Sequence, residues 1–199
     1  MEPSTTLEPG YFNGRCFVLC KDGVLLVLDR FAEQLELAVK NMMNHGLVKQ
    51  NDSFGFSVSI FKVNQYWRFA RDWNEPRMFV HYLQHWGPNG PRYSMNAIRK
   101  QRASLRISAN TLDIVRNLDE GEFIDVIESV DEHGNFTWGD FPYGGCVIRD
   151  CGEYTIVFSC SALTQEQDDT VSHFGAGALD SFIAEHGGLN TVTCTTRNY

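Results

Sequence analysis

The 199-residue chain has no long hydrophobic run. Its longest aliphatic stretch, residues 24–28 (VLLVL), is far short of the roughly 20 apolar residues that a membrane-crossing helix requires, so no membrane association is expected. Basic charge is scarce as well. Lys and Arg number 17 against 25 Asp and Glu, a net charge of -8, and such a surface repels phosphate backbones. Nucleic acid is therefore not an expected partner. The chain contains no Cys-x-x-Cys, no phosphate-binding glycine loop, no dinucleotide fingerprint and no nucleophile elbow, which removes the metal, nucleotide and hydrolase classes that those motifs mark. The opening MEPSTTLEPG has no apolar signal core, so a cytoplasmic location is expected. The six cysteines (Cys16, Cys20, Cys146, Cys151, Cys160 and Cys194) are then expected as free, mostly buried thiols.

What is present is a globular composition with 43 % hydrophobic and 21 % charged residues, and a length that fits a single domain over 1–199. Residues 1–10 read as a flexible arm. RCFVLC and VLLVL, separated by Lys-Asp-Gly, read as two strands about a turn. DRFAEQLELAVKNMMNHG has helical periodicity, with Asp29 as N-cap, Gly46 as stop, and Phe31, Leu35, Ala38 or Val39, and Met42 on the apolar stripe. FGFSVSIFKV alternates strictly, and YWRFARDW after Asn64-Gln65 suggests a hairpin partner. The small face of FGFSVSIFKV (Gly55, Ser57 and Ser59) admits a close-packed helix or subunit, or faces a pocket, close packing being the more common arrangement. Residues 74–93, rich in proline, glycine and aromatics, read as a long connection with a short helix over 77–86.

SMNAIRKQRASLRISANTL reads as a helix capped by Ser94, with Met95, Ile98, Leu105, Ala109 and Leu112 on its buried stripe. Arg99, Lys100, Arg102 and Arg106 make it the one basic concentration in an acidic chain. EFIDVIESV fits either a strand or a short helix. GGCVIRD-CG-EYTIVFSCSA is a hairpin. TQEQDD opens the last helix, with Thr164 and Gln167 forming a capping box and Val171, Phe174, Ala178 and Phe182 forming the apolar stripe. Hairpins interrupted by helices indicate an α+β fold with helices packed on a single antiparallel sheet.

Three stretches carry a resemblance. They are AIRKQRAS, with Ala97, Lys100 and Ala103-Ser104; the Gly144-Gly145 pair leading into a strand; and FSCSALTQEQDDTVSHFGAGAL, with Gln167-Asp168 and the small residues 175–178. Their order over residues 29–186 resembles the haem-binding/GlcG-type domain family, which includes HbpS-like proteins and the C-terminal domain of PduO-type proteins. The chain departs from that pattern at two glycines, replaced at or near Phe158 and at Ala162. The resemblance implies a profilin-like fold, a homo-oligomer and a small-molecule ligand, with haem or a similar planar anion as the candidate cofactor.

On that reading Lys100, Arg102 and Arg99 neutralise ligand carboxylates. Tyr143 and Trp86 supply apolar contact, and Gly144 and Gly145 let the backbone approach closely. On the expected helix, His81 and His85 share a face and could hold a metal or haem iron. Each residue also has an ordinary structural reading: strand-entry glycines, a solvated basic face, an aromatic cover over the sheet. Two other functions fit the same residues. One is a metabolic enzyme with 74–93 as a lid and Lys100, Tyr143 or His85 in acid–base roles. The other is a non-catalytic oligomeric adaptor. No catalytic residue is assigned.

Overall fold

The computed structural model describes residues 15–62, 78–107, 109–117 and 143–195. The expected arm, the Asn64-Gln65 turn with the run that follows it, and the 122–130 stretch lie outside those residues.

The chain opens with β1 (Arg15–Cys20) and β2 (Leu25–Val27), paired antiparallel about the expected turn. Asp22 fixes that turn by accepting the Val24 amide at 3.0 Å, and Gly23 supplies a φ of 89°. Helix α1 (Leu28–Asn44) follows at once, with Val27 rather than Asp29 at its N-cap position and no side-chain cap. Asp29 instead accepts the Tyr82 hydroxyl at 3.0 Å. Next come β3 (Phe54–Lys62), β4 (Met78–Trp86), α2 (Gly90–Ile107) and the short α3 (Thr111–Asn117). The chain ends with β5 (Cys146–Asp150), β6 (Tyr154–Ser161), α4 (Gln165–Glu185) and β7 (Leu189–Thr195). None of the described helices is long and apolar enough to cross a membrane.

Among the described residues the fold is α+β with antiparallel pairing throughout, but in two sheets where one was expected. The order is β4-β3-β6-β5 in one and β2-β1-β7 in the other. β7 makes the difference. It returns to pair with β1 and runs beside β4 without joining its ladder.

The connection expected over 74–93 is, from residue 78, a nine-residue strand hydrogen-bonded along β3 from Phe54↔Trp86 to Phe61↔Met78. MFVHYLQHW is apolar and aromatic, with Phe79, Tyr82 and Trp86, which suits a strand. The residues that suggest a loop cluster just beyond it, where Gly87 (φ 77°) turns the chain into α2. Helix α2 begins at Gly90, so Ser94 lies inside it and donates to the Pro91 carbonyl at 2.9 Å.

The four-stranded sheet is covered on both faces. On one face Phe54, Phe56, Val58 and Ile60 form the main core with α1 and α4. Phe158 is central there, stacked on Phe56 at 5.5 Å and met edge-on by Phe31 at 6.5 Å. A Cβ on Gly175 would lie 2.5 Å from its ring, so glycine is what lets α4 come this close. The α4 stripe is therefore Val171, Gly175, Ala176, Leu179 and Ile183, with Phe174 left 44 % exposed.

On the other face the expected close packing is present. A Cβ on Gly55 would fall 2.2 Å from the Ser94 amide nitrogen of α2. Ser159 donates to the Ala97 carbonyl at 2.7 Å, and Ser59 to Gln101 at 2.8 Å. Gln101 in turn donates to the carbonyls of Ser57 and Val157. The buried side of α2 is thus Ser94, Ala97, Lys100, Gln101, Ala103, Ser104 and Leu105, a mostly small and polar face; of the expected stripe Leu105 is buried, while Met95, Ile98, Ala109 and Leu112 are half-buried. A serine-lined sheet is better met by hydrogen-bonding groups than by bulky apolar ones.

The cysteine expectation is corrected at one position. Cys16 is disulfide-bonded, and the residue opposite it in the β1–β7 ladder is Cys194. Cys20, Cys146, Cys151 and Cys160 are free.

Candidate functional site

Helix α2 lies on one face of the sheet and α4 on the other. They meet around the end of β6 and the start of β5, and Lys100 makes the connection. Its side chain is 1 % exposed. The ammonium donates to the Cys160 carbonyl at 2.9 Å and to Asp168 Oδ2 at 2.7 Å. Asp168 belongs to the first turn of α4, where the helix dipole favours a carboxylate. Thr164 caps that turn as expected, accepting the Gln167 amide. The other Asp168 oxygen accepts the Leu163 amide at 3.1 Å.

The network extends inward. The Cys160 thiol donates to the Asp168 carbonyl at 2.9 Å. Ser172 Oγ donates to the Gly145 carbonyl at 2.8 Å and lies 3.3 Å from Cys160 Sγ. Burial pushes the Cys160 thiol well up, and the Asp168 charge adds to this, so the group is a neutral donor and not a thiolate nucleophile. Burial also raises the Asp168 carboxyl above its ordinary range, while Lys100 and the Leu163 and Ala162 amides pull it back.

The glycine pair has a definite task here. Gly145 has φ 112°, and a Cβ on it would sit 2.5 Å from Asp168 Cβ and 3.0 Å from Lys100 Nζ. Gly144 is closed in by Gln165 and Leu112, each 2.9 Å from the position its Cβ would take. Across the strand pair, Ala162 has φ 145° and is the one non-glycine residue with positive φ among those described. Such backbone costs on the order of 1–3 kcal/mol and persists only where its surroundings enforce it. Ala162 is also a position where the resemblance expects glycine. Edge strand β5 is held by side chains of the α2–α3 turn. Thr111 accepts the Cys146 amide at 2.8 Å, and Asn110 accepts that of Ile148 at 2.9 Å.

Of the residues expected at a site, the structure brings Lys100, Gly144 and Gly145 together, with the half-buried Tyr143 next in sequence. Arg99 and Arg102 flank Lys100 on α2, both half-buried. Trp86 is elsewhere. It stacks on Phe54 at 4.5 Å, on the α1 side of the sheet, with Lys40 over its ring. His85 packs against Gly90 at the start of α2. Gly90 and Lys100 are ten residues apart, about 15 Å along a helix.

The shared helical face proposed for His81 and His85 is absent, because both residues lie on β4. Four residues along a strand span about 13 Å, too far for one ion. No group of three metal-ligating side chains occurs among the described residues. His173, which could serve a nucleophile, is instead exposed and lies 3.5 Å from Asp169.

Sequence reasoning missed Asp168 and Cys160 as partners of Lys100, and Ser172 as the partner of Gly145. A signal was there: Ala97, Lys100, Gln101 and Ser104 recur at i, i+3, i+4 and i+7, so Lys100 shares the small-residue face. A lysine on a buried face requires a carboxylate.

No family model matches the chain, and no curated protein matches it either.

Proposed function

We propose that the chain is a small-molecule-binding protein of GlcG/HbpS-like type, with its site centred on Lys100, Tyr143, Gly144 and Gly145. One observation carries the reading. The three stretches behind the resemblance, far apart in sequence, meet within hydrogen-bonding distance at the Lys100–Asp168–Gly145 cluster. Strained backbone at Ala162 borders the same cluster, and strain of this kind concentrates at ligand sites.

Lys100 is already neutralised by Asp168, so its part is to hold the glycine turn and the two helices in place. Direct contact with a carboxylate-bearing ligand such as haem falls to Arg99 and Arg102, whose guanidinium groups suit bidentate pairing, and to the ring of Tyr143. A lid role for residues 78–86 loses support, since opening it would break the β3–β4 ladder. The free-thiol expectation followed from the cytoplasmic one, and the disulfide at Cys16 weighs against that reducing compartment.

The test is a spectral titration with haem. The reading expects a saturable one-to-one change whose dissociation constant rises about tenfold in Arg102→Ala, the loss of roughly 1.4 kcal/mol of contact. The absence of a saturable change would remove haem. Thermal stabilisation by another carboxylated planar compound, also weakened in Arg102→Ala, would keep the site and change the ligand.

A further inference from the structure

A groove of ≈ 300 Å³ lies between α1 and α4, the two helices on the sheet face opposite α2. Its walls include Phe31 and Leu35 of α1 and Phe174, Ala178 and Phe182 of α4. Two of the rings are held from behind. Phe31 meets Phe158 edge-on at 6.5 Å, and Phe182 packs on the His186 ring at 4.6 Å. Phe174, Ala178 and Phe182 recur at every fourth residue, so the apolar strip follows α4 for about 12 Å. The α1 edge of the groove is polar. Arg30 and Gln34, one helical turn apart, are both exposed and both line it. Arg30 is the one ionised side chain in that lining, and it makes no ion pair or side-chain hydrogen bond among the described residues. The neighbouring charges of α1 are engaged or lie outside the lining: Asp29 accepts from Tyr82, Lys40 pairs with Glu36, and Glu33 does not line the groove.

We infer that this groove is a second ligand site, which takes the acyl chain of a medium-chain monocarboxylate and sets its carboxylate on Arg30 and Gln34. Charge selects the head group. In a chain of net charge -8, a guanidinium without a partner on the rim of an apolar groove attracts an anion. Its fork matches a carboxylate through two parallel hydrogen bonds, and the Gln34 amide offers a further donor. Shape selects the tail. The volume is at the lower end of small-molecule sites, roughly 300–1,000 Å³, and the strip is long and shallow, which suits one acyl chain rather than a planar macrocycle. Such a chain would cover Phe174, which is otherwise 44 % exposed. The groove is separate from the Lys100 cluster, which sits at the first turn of α4, so the inference does not rest on the function proposed above.

Isothermal titration calorimetry with sodium decanoate tests it. The wild type is expected to bind one decanoate saturably. It should bind decanoate about tenfold more tightly than octanoate, since each buried methylene tightens binding about three- to fourfold. Arg30→Gln should weaken decanoate about tenfold and leave decan-1-ol unchanged, because only decanoate carries an anionic head. Ala178→Phe fills the groove and should abolish binding of both compounds. Arg30 and Ala178 are exposed, so both variants should keep the wild-type melting temperature. Arg102→Ala should leave decanoate binding unchanged. The absence of saturable binding, an equal loss of decanoate and decan-1-ol in Arg30→Gln, or decanoate binding retained in Ala178→Phe would overturn the inference. So would decanoate binding lost in Arg102→Ala, which would place the ligand at the other site. A ligand-free dimer that Ala178→Phe dissociates in sedimentation equilibrium would overturn it too, since a second copy would then fill the groove.

Discussion

Gly145 and Gly152 both have positive φ, 112° and 80°, but their surroundings differ. Nothing lies within 4 Å of the Cβ position at Gly152, whereas Asp168 Cβ and the Cys160 carbonyl crowd the one at Gly145. Gly152→Ala should therefore cost only backbone strain, about 1 kcal/mol. Gly145→Ala adds a clash with immobile atoms and should cost roughly 2–4 kcal/mol, measured by urea denaturation. Equal losses would mean that Asp168 and β6 give way easily. At this scale the sequence was partly legible. A Gly-Gly pair announces unusual geometry, and its ordinary reading as strand entry is correct. What it approaches could not be read, because Asp168 looks like one more acidic residue in a capped first turn. Nothing in TQEQDD distinguishes the buried Asp168 from its half-buried neighbour Asp169.

Among elements, the link between α4 and the β5–β6 hairpin is electrostatic. Asp180 accepts from Arg149 Nε at 2.8 Å and from the Tyr154 hydroxyl at 3.0 Å. Burial would raise its carboxyl, but hydrogen bonds from Arg149, Cys151 and Tyr154 outweigh that and hold it below its ordinary 3.8. A lowered folded-state value stabilises the protein above 3.8, and that contribution is lost as pH falls through the folded-state value. Asp180→Asn should thus cost about 1–2 kcal/mol at neutral pH, reduced by the partial exposure of Arg149. The gap from wild type should close as pH falls below about 4. A gap that persists or widens in acid would mean that Asp180 acts through packing. The β1–β2 and β5–β6 hairpins and α4 were legible from alternation and capping, whereas the strand that pairs with β3, Met78–Trp86, reads as a connection. The buried faces of α2 and α4 were legible only at Leu105 and Val171, because apolar periodicity picks out bulky side chains. α2 buries serines, Gln101 and Lys100, and α4 buries Gly175 while leaving Phe174 outside. In both helices close approach to the sheet selected small or hydrogen-bonding residues.

For the whole molecule, the class α+β was readable, but the second sheet was not. It depends on the C-terminal strand finding β1 across nearly the full chain, and no local pattern encodes such a pairing. The same holds for the cluster where the two helical layers join. Lys100 comes from one layer and Asp168 from the other, and β5, β6 and the glycine pair close around them. Breaking a buried pair by removing one partner typically costs 3–5 kcal/mol, because a charge is left without compensation, whereas replacing both partners by apolar groups often costs far less. A double-mutant cycle by urea denaturation on Lys100→Met and Asp168→Leu tests this most directly. Each single variant should lose about 3–5 kcal/mol and the double variant less than either, a strong favourable coupling. Losses that simply add would contradict the account: Lys100 and Asp168 would then be independent, and the cluster would not be what joins the two layers.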